Sequence, residues 1–145
     1  MTIQKIHDHL NETKIFDAVE LVSENELDIG TGCFYDVQKS VKDCPTEVVL
    51  RLKQEDDNLI LIDKGLTRVY MDAVFELGEE DVIKNIIAIT NECGVSTKNK
   101  QLSMKLGKAE EADNIDEFVD VLKASCSKLA ISCIGFLSAM KIFYV

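Results

Sequence analysis

The sequence predicts an α+β domain in which a small, mainly antiparallel sheet is packed by helices, with a long C-terminal helix. Three observations carry that prediction. Residues 46–63 read TEVVLRLKQEDDNLILID, two strand-like runs joined by a polar turn. From Ile115 to Met140, apolar residues recur at spacings of three and four, which is one continuous helix face. The 145 residues are 46% hydrophobic with a single proline. Such a chain suits one domain and can bury about two-thirds of its unfolded surface.

Residues 2–23 are expected to be helical. Ile3, Ile6 and Leu10 share one stripe, and Ile15, Phe16, Val19 and Val22 share another, with Asn11 and Thr13 able to break or cap between them. Two short helices or one bent helix fit this pattern. In ELDIGTGCFYDV, the run Gly30–Gly32 marks a turn or bulge, and Phe34, Tyr35 and Val37 favour a strand on its far side. These glycines match neither GxxxxGK[ST] nor GxGxxG, so turn geometry accounts for them better than phosphate binding does. Lys39 to Cys44 is a polar connector closed by Pro45, after which strand residues follow.

In the hairpin 46–63, Val48, Leu50 and Leu52 alternate with Glu47, Arg51 and Lys53, the period of a half-buried strand. Gln54 to Asp57 turn the chain, and Leu59 to Ile62 suit a strand buried on both faces. A helix is expected over about 66–77, where Leu66, Val69, Tyr70, Ala73, Val74 and Leu77 lie on one side and Gly78 stops it. A second is expected over about 80–93. Glu79, Glu80 and Asp81 favour its positive end, and Gly94 terminates it. Leu102, Met104 and Leu106 then alternate with polar residues, a strand over about 101–106 with Gly107 after it. The final helix, about 114–142, is capped by Asp113 or Asn114. Beyond Leu129 its opposite face also turns apolar through Ile131, Ile134 and Ile142, so it calls for burial on both sides. A homodimer through this helix is one way to meet that demand, with Phe136, Met140 and Phe143 as contacts.

Twenty-six acids oppose sixteen bases, for a net charge of −10. That surface repels phosphate backbones and anionic membranes, which disfavours direct nucleic-acid or membrane binding. Three acidic clusters stand out: Glu55-Asp56-Asp57 at the hairpin tip, Glu79-Glu80-Asp81 at a helix start, and the run 110–120 with Glu110, Glu111, Asp113, Asp116, Glu117 and Asp120. Capping and solvation explain each cluster singly. Together they form a candidate contact for a partner protein with a basic surface.

The remaining chemistry is sparse. His7 and His9 are the only histidines, and about 200° of helix separates them, so they read as solvent-facing rather than as a metal pair. No Ser–His–Asp or Cys–His set can be assembled. A metal-dependent phosphodiesterase would draw on Asp28, Asp36 or Asp63, yet Arg51-Leu52-Lys53 carries a cation where a carboxylate ligand would stand. Asp63 in Asp63-Lys64-Gly65 fits a turn or cap carboxylate better than a ligand. No cofactor motif is present. The five cysteines, Cys33, Cys44, Cys93, Cys126 and Cys133, are odd in number and form no CxxC pair, which fits reduced thiols in a cytosol. Cys126 and Cys133 lie on the apolar stripe of the last helix and read as small core residues. MTIQKIHDHLNETK lacks an apolar signal region, and the apolar run from Leu129 is short for a bilayer span of about twenty residues.

From Glu47 onward the chain resembles a family of bacterial and prophage proteins catalogued as domain of unknown function 1828. The strand pair, the LIDKGLT segment from Leu61 to Thr67, the helix ending in ECGV at Glu92 to Val95, the strand QLSMKL and the long last helix follow that family's order. The family has an acidic or polar residue where Lys64 stands, and residues 1–45 match it poorly. The resemblance implies an α+β fold and a phage or mobile-element setting, and it implies no reaction. The functional expectation is a non-enzymatic cytoplasmic accessory protein that binds and inhibits a host protein, such as a nucleic-acid-binding defence or regulatory factor. The phosphodiesterase and a self-associating scaffold are the alternatives.

Overall fold

The computed structural model describes residues 1–35, 46–64, 84, 88, 91, 92, 94–97, 101–111 and 113–144, with side chains in the last helix described to Phe136. The elements are α1 (Ile3–Thr13), β1 (Ala18–Ser23), β2 (Glu26–Tyr35), β3 (Thr46–Glu55), β4 (Asn58–Asp63), β5 (Ser103–Lys108), a 3₁₀ turn (Ala109–Glu111) and α2 (Ile115–Tyr144). The five strands form one antiparallel sheet in the order β1-β2-β3-β4-β5, a meander in which each strand pairs with its predecessor. This is the expected α+β class, with the long C-terminal helix in place.

Helix α1 is set by its ends and one face. Thr2 caps it, its hydroxyl accepting from Lys5 N at 3.2 Å. Lys14 closes it in the left-handed region (φ 52°), donating its backbone N–H to Leu10 O at 3.0 Å. Ile3, Ile6 and Leu10 are fully buried.

Residues 15–23 correct the expectation of a helical segment over 2–23. They run into β1, in which Val19 and Leu21 are half-buried while Ala18, Glu20 and Val22 are exposed. The stripe Ile15, Phe16, Val19, Val22 fits helical spacing, but Val19 pairs with Ile29 and Leu21 with Leu27, so the inward period is two. The tertiary pairing overrides a local pattern that served both periods.

Strand β2 passes through the glycine run without ending. The register with β3 shifts between Gly30 and Phe34, and Gly32 adopts φ 72°, open to glycine at no steric cost. Thr31 Oγ1 donates to Val48 O at 2.7 Å and accepts Cys33 N at 3.2 Å, which holds the bulge. Strands β3 and β4 form the expected hairpin, with Asp56 at φ 54° in its two-residue tip. Leu59 and Leu61 are buried while Ile60 and Ile62 are half-buried, so β4 alternates instead of being buried evenly on both faces. Strand β5 runs to Lys108, two residues beyond expectation. Gly107 lies inside it at φ 119°, where the register with β4 slips between Leu59 and Ile60.

Register places Leu27, Ile29, Leu50, Leu52, Leu59 and Leu61 on one face, all fully buried. Both helices cover this face, α1 over β1 and β2, and α2 over β2 to β5. Phe118, Leu122, Cys126, Leu129, Cys133 and Phe136 form the buried side of α2, as their spacing foretold. Burying a Leu, Ile or Phe side chain is worth about 1.5–3 kcal/mol, so this face dominates the fold's stability. Val95 also joins the core, and a bridge between Ser96 and Ser103 brings the chain back to β5. The helices expected over 66–77 and 80–93 lie largely outside the described residues; Lys84, Ala88, Asn91 and Glu92 are helical. Among the described residues, no helix is long and apolar enough to cross a membrane.

Candidate functional site

Asp28 and Asp63, two of the aspartates named as metal candidates, lie on opposite faces of the sheet. Asp28 pairs with Arg51 across β2 and β3, on the sheet face away from α2. Its side chain is only 7% exposed, and both oxygens are taken up by cations. Arg51 Nε donates to Oδ1 at 2.8 Å, Arg51 Nη2 donates to Oδ2 at 3.2 Å, and Lys64 Nζ lies 2.7 Å from Oδ2. Arg51 Nη1 also reaches Glu26 Oε2 at 3.2 Å. Burial pushes the Asp28 carboxyl upward, but the hydrogen bonds from Arg51 and Lys64 and their charges outweigh it and hold the group below its usual range. The same contact, opposed by burial, raises the Arg51 guanidinium.

Asp63 pairs with Leu50 on the opposite, core-facing side and is 1% exposed. Its Oδ2 accepts Leu102 N at 3.3 Å, its backbone N–H donates to Leu102 O at 3.0 Å, and its carbonyl accepts Gln101 Nε2 at 2.9 Å. Asp63 thus ties the end of β4 to the segment entering β5. Asp28 and Asp63 lie on opposite faces and cannot serve one ligand set. Asp36 lies outside the described residues. Among the described residues, no group of three or more His, Cys, Asp or Glu side chains is placed to hold a metal.

Two of the acidic clusters converge. The β3–β4 tip carries Glu55, Asp56 and Asp57, and β4–β5 pairing lays this tip beside the 3₁₀ turn. Asp57 O accepts Ala109 N at 2.8 Å, and Asp57 Oδ1 accepts Glu110 N at 3.3 Å. The chain then enters α2, whose cap is Asn114, its Oδ1 accepting Asp116 N at 3.0 Å and Glu117 N at 3.3 Å. Asp113, Asp116, Glu117 and Asp120 are all exposed there, as are Glu55, Asp56 and Glu110. Glu111 lies within the 3₁₀ turn, and the cluster Glu79, Glu80 and Asp81 lies outside the described residues.

Helix α1 adds acids that the sequence reading did not assign to a site. Asp8, Glu12 and Asp113 border an open hollow of about 540 Å³, together with Lys5, His9, Met1 and Ile115. His9 Nε2 lies 3.4 Å from Asp116 Oδ1, which links α1 to the first turn of α2. The Met1 ammonium donates to Ala109 O at 3.1 Å. His7 Nδ1 lies 3.1 Å from Asp8 Oδ1, and Gln4 Nε2 donates to the same oxygen at 2.9 Å; these hydrogen bonds hold the Asp8 carboxyl below its usual range. The histidine side chains are 18% and 21% exposed, so both are engaged at the α1 surface and not free in solvent.

A second hollow of about 220 Å³ opens on the other side of Asp113, between β5 and the first two turns of α2. The acidic end therefore consists of the hairpin tip, the 3₁₀ turn, the start of α2 and the outer face of α1. Of the proposed self-association contacts, Phe136 is 2% exposed and packs in the core of its own chain; the side chains of Met140 and Phe143 lie outside those described. No protein-family model, no curated protein and no solved structure matches this chain.

Proposed function

We propose that this protein is a binding protein that covers a basic surface on another protein with its acidic end. The observation that supports this reading most is the meeting of Asp57 with Ala109 and Glu110, which joins two acidic clusters far apart in sequence into one exposed region. Carboxylates held together on rigid elements create a field that steers a cationic partner and speeds its encounter. Occlusion of the partner's Lys and Arg side chains would then block whatever those residues contact. The resemblance noted in the sequence adds a phage or mobile-element setting to the proposal, in which the covered surface belongs to a host nucleic-acid-binding defence or regulatory factor.

The test is affinity capture from the source cells' lysate with three baits. One is the wild type, one carries Glu55, Asp56 and Asp57 reversed to lysine, and one carries Asp113, Asp116 and Glu117 reversed to lysine. The proposal expects a protein with a basic surface that the wild type retains and both variants release, and it expects retention to fall steeply with added salt. Equal capture by all three baits overturns it.

A further inference from the structure

A hollow at the acidic end has a partly apolar lining, and its chemistry describes the segment it would take. The hollow of about 220 Å³ lies between β5 and the start of α2. Leu106, Phe118 and Val121 are its apolar lining, with Val121 49% exposed. Asp113 and Glu117 stand on the rim as exposed carboxylates, and Lys108 is the one rim cation. Val121 is among the most exposed large apolar residues of the described chain, one helical turn from Glu117.

We infer that this hollow seats one apolar side chain of a partner segment whose neighbouring residues are lysine or arginine. This deepens the function proposed above and rests on it. Three features support the choice of occupant. The apolar lining gives an apolar side chain a place to leave water, which is where interface affinity concentrates. The rim carboxylates, with Asp57, Glu110 and Asp120 beyond them, complement cations on either side of that anchor. An acidic or purely polar segment would leave Leu106 and Val121 uncovered and would bring like charges together.

Labelled synthetic pentapeptides provide the probe, read by fluorescence anisotropy at low salt. One carries leucine between two lysine pairs, the second carries serine in place of the leucine, and the third carries leucine between two glutamate pairs. The leucine–lysine peptide should bind about tenfold more tightly than the serine–lysine peptide, and the glutamate peptide should not bind. Val121→Ser, at a position half open to solvent, should reduce the leucine-over-serine ratio from about tenfold to near one, and a ratio that stays at about tenfold overturns the seat. Asp113→Asn with Glu117→Gln should weaken both lysine peptides, and circular dichroism checks that each variant is folded. Equal binding of leucine and serine peptides, lost on charge neutralisation, overturns the anchor hollow and leaves the acidic surface standing. Absence of binding by every lysine peptide overturns both.

Discussion

Replacing Arg51 with methionine tests whether Asp28 serves the fold. The substitution keeps much of the side-chain volume and removes two charge-assisted hydrogen bonds, 2.8 and 3.2 Å long, from a carboxylate 7% exposed. Hydrogen bonds to charged groups contribute about 1.5–3 kcal/mol each. Arg51 is itself 24% exposed, and Lys64 remains 2.7 Å from the carboxylate, so solvent and the second cation offset part of the loss. A net destabilisation of about 2–3 kcal/mol is expected at neutral pH, roughly a 30- to 150-fold change in the unfolding constant. Urea unfolding followed by circular dichroism measures it. The pH dependence has a definite sign. The folded-state Asp28 carboxyl is held below its ordinary range. Its contribution is therefore complete above the unfolded value near about 4 and is lost as pH falls through the lower folded value. The gap between wild type and variant should be full at neutral pH and shrink in acid. A loss under about 1 kcal/mol at neutral pH, or a gap that persists unchanged in acid, would refute the assignment.

Phe136→Glu places a carboxylate where the side chain is 2% exposed, and should cost about 3–5 kcal/mol through lost packing and a buried charge. Thermal unfolding with light scattering reads it, and a dissociated but equally stable chain would instead support self-association. Asn114→Ala removes the acceptor for two N–H groups at the start of α2 and should lower stability by about 1 kcal/mol, measured by urea midpoint. Burial and the neighbouring Cys33 push the Cys126 thiol up to about 12, so peptide mapping after brief alkylation of native protein should find Cys33 modified and Cys126 and Cys133 protected. Leu50→Ala, at a fully buried position between Ile29 and Asp63, should cost about 2–5 kcal/mol by the same urea assay.

The parts of the fold legible in sequence are those whose side-chain period has one explanation. Val48, Leu50 and Leu52 can serve only a strand, and the stripe from Phe118 to Phe136 can serve only a helix. Residues 15–23 satisfied two periods, and the deciding contacts, Val19 with Ile29 and Leu21 with Leu27, are visible only once β1 and β2 are paired. The acidic clusters were legible as charge, since charge is a local property. The meeting of the hairpin tip with the 110–120 run was not, because it depends on Asn58 pairing with Lys108 across β4 and β5. Asp28 posed the same difficulty. A metal ligand and an arginine partner look alike in sequence, and the register that sets Arg51 opposite it decides between them. Asp8 and Glu12 carried no signal of their own, and α1 brings them to the site only by docking its apolar stripe.

The meander has a consequence for how the chain is made. Strands β1 to β4 pair only with strands next to them in sequence, so a chain can add them in order with little loop entropy to overcome. The second partner of β4 comes much later in the chain, so that edge can be paired only once Ser103–Lys108 has been made. Until then both margins of a four-strand sheet, β1 and β4, would offer unpaired backbone, and the charged Glu55–Asp57 tip next to β4 disfavours pairing of that edge with another chain.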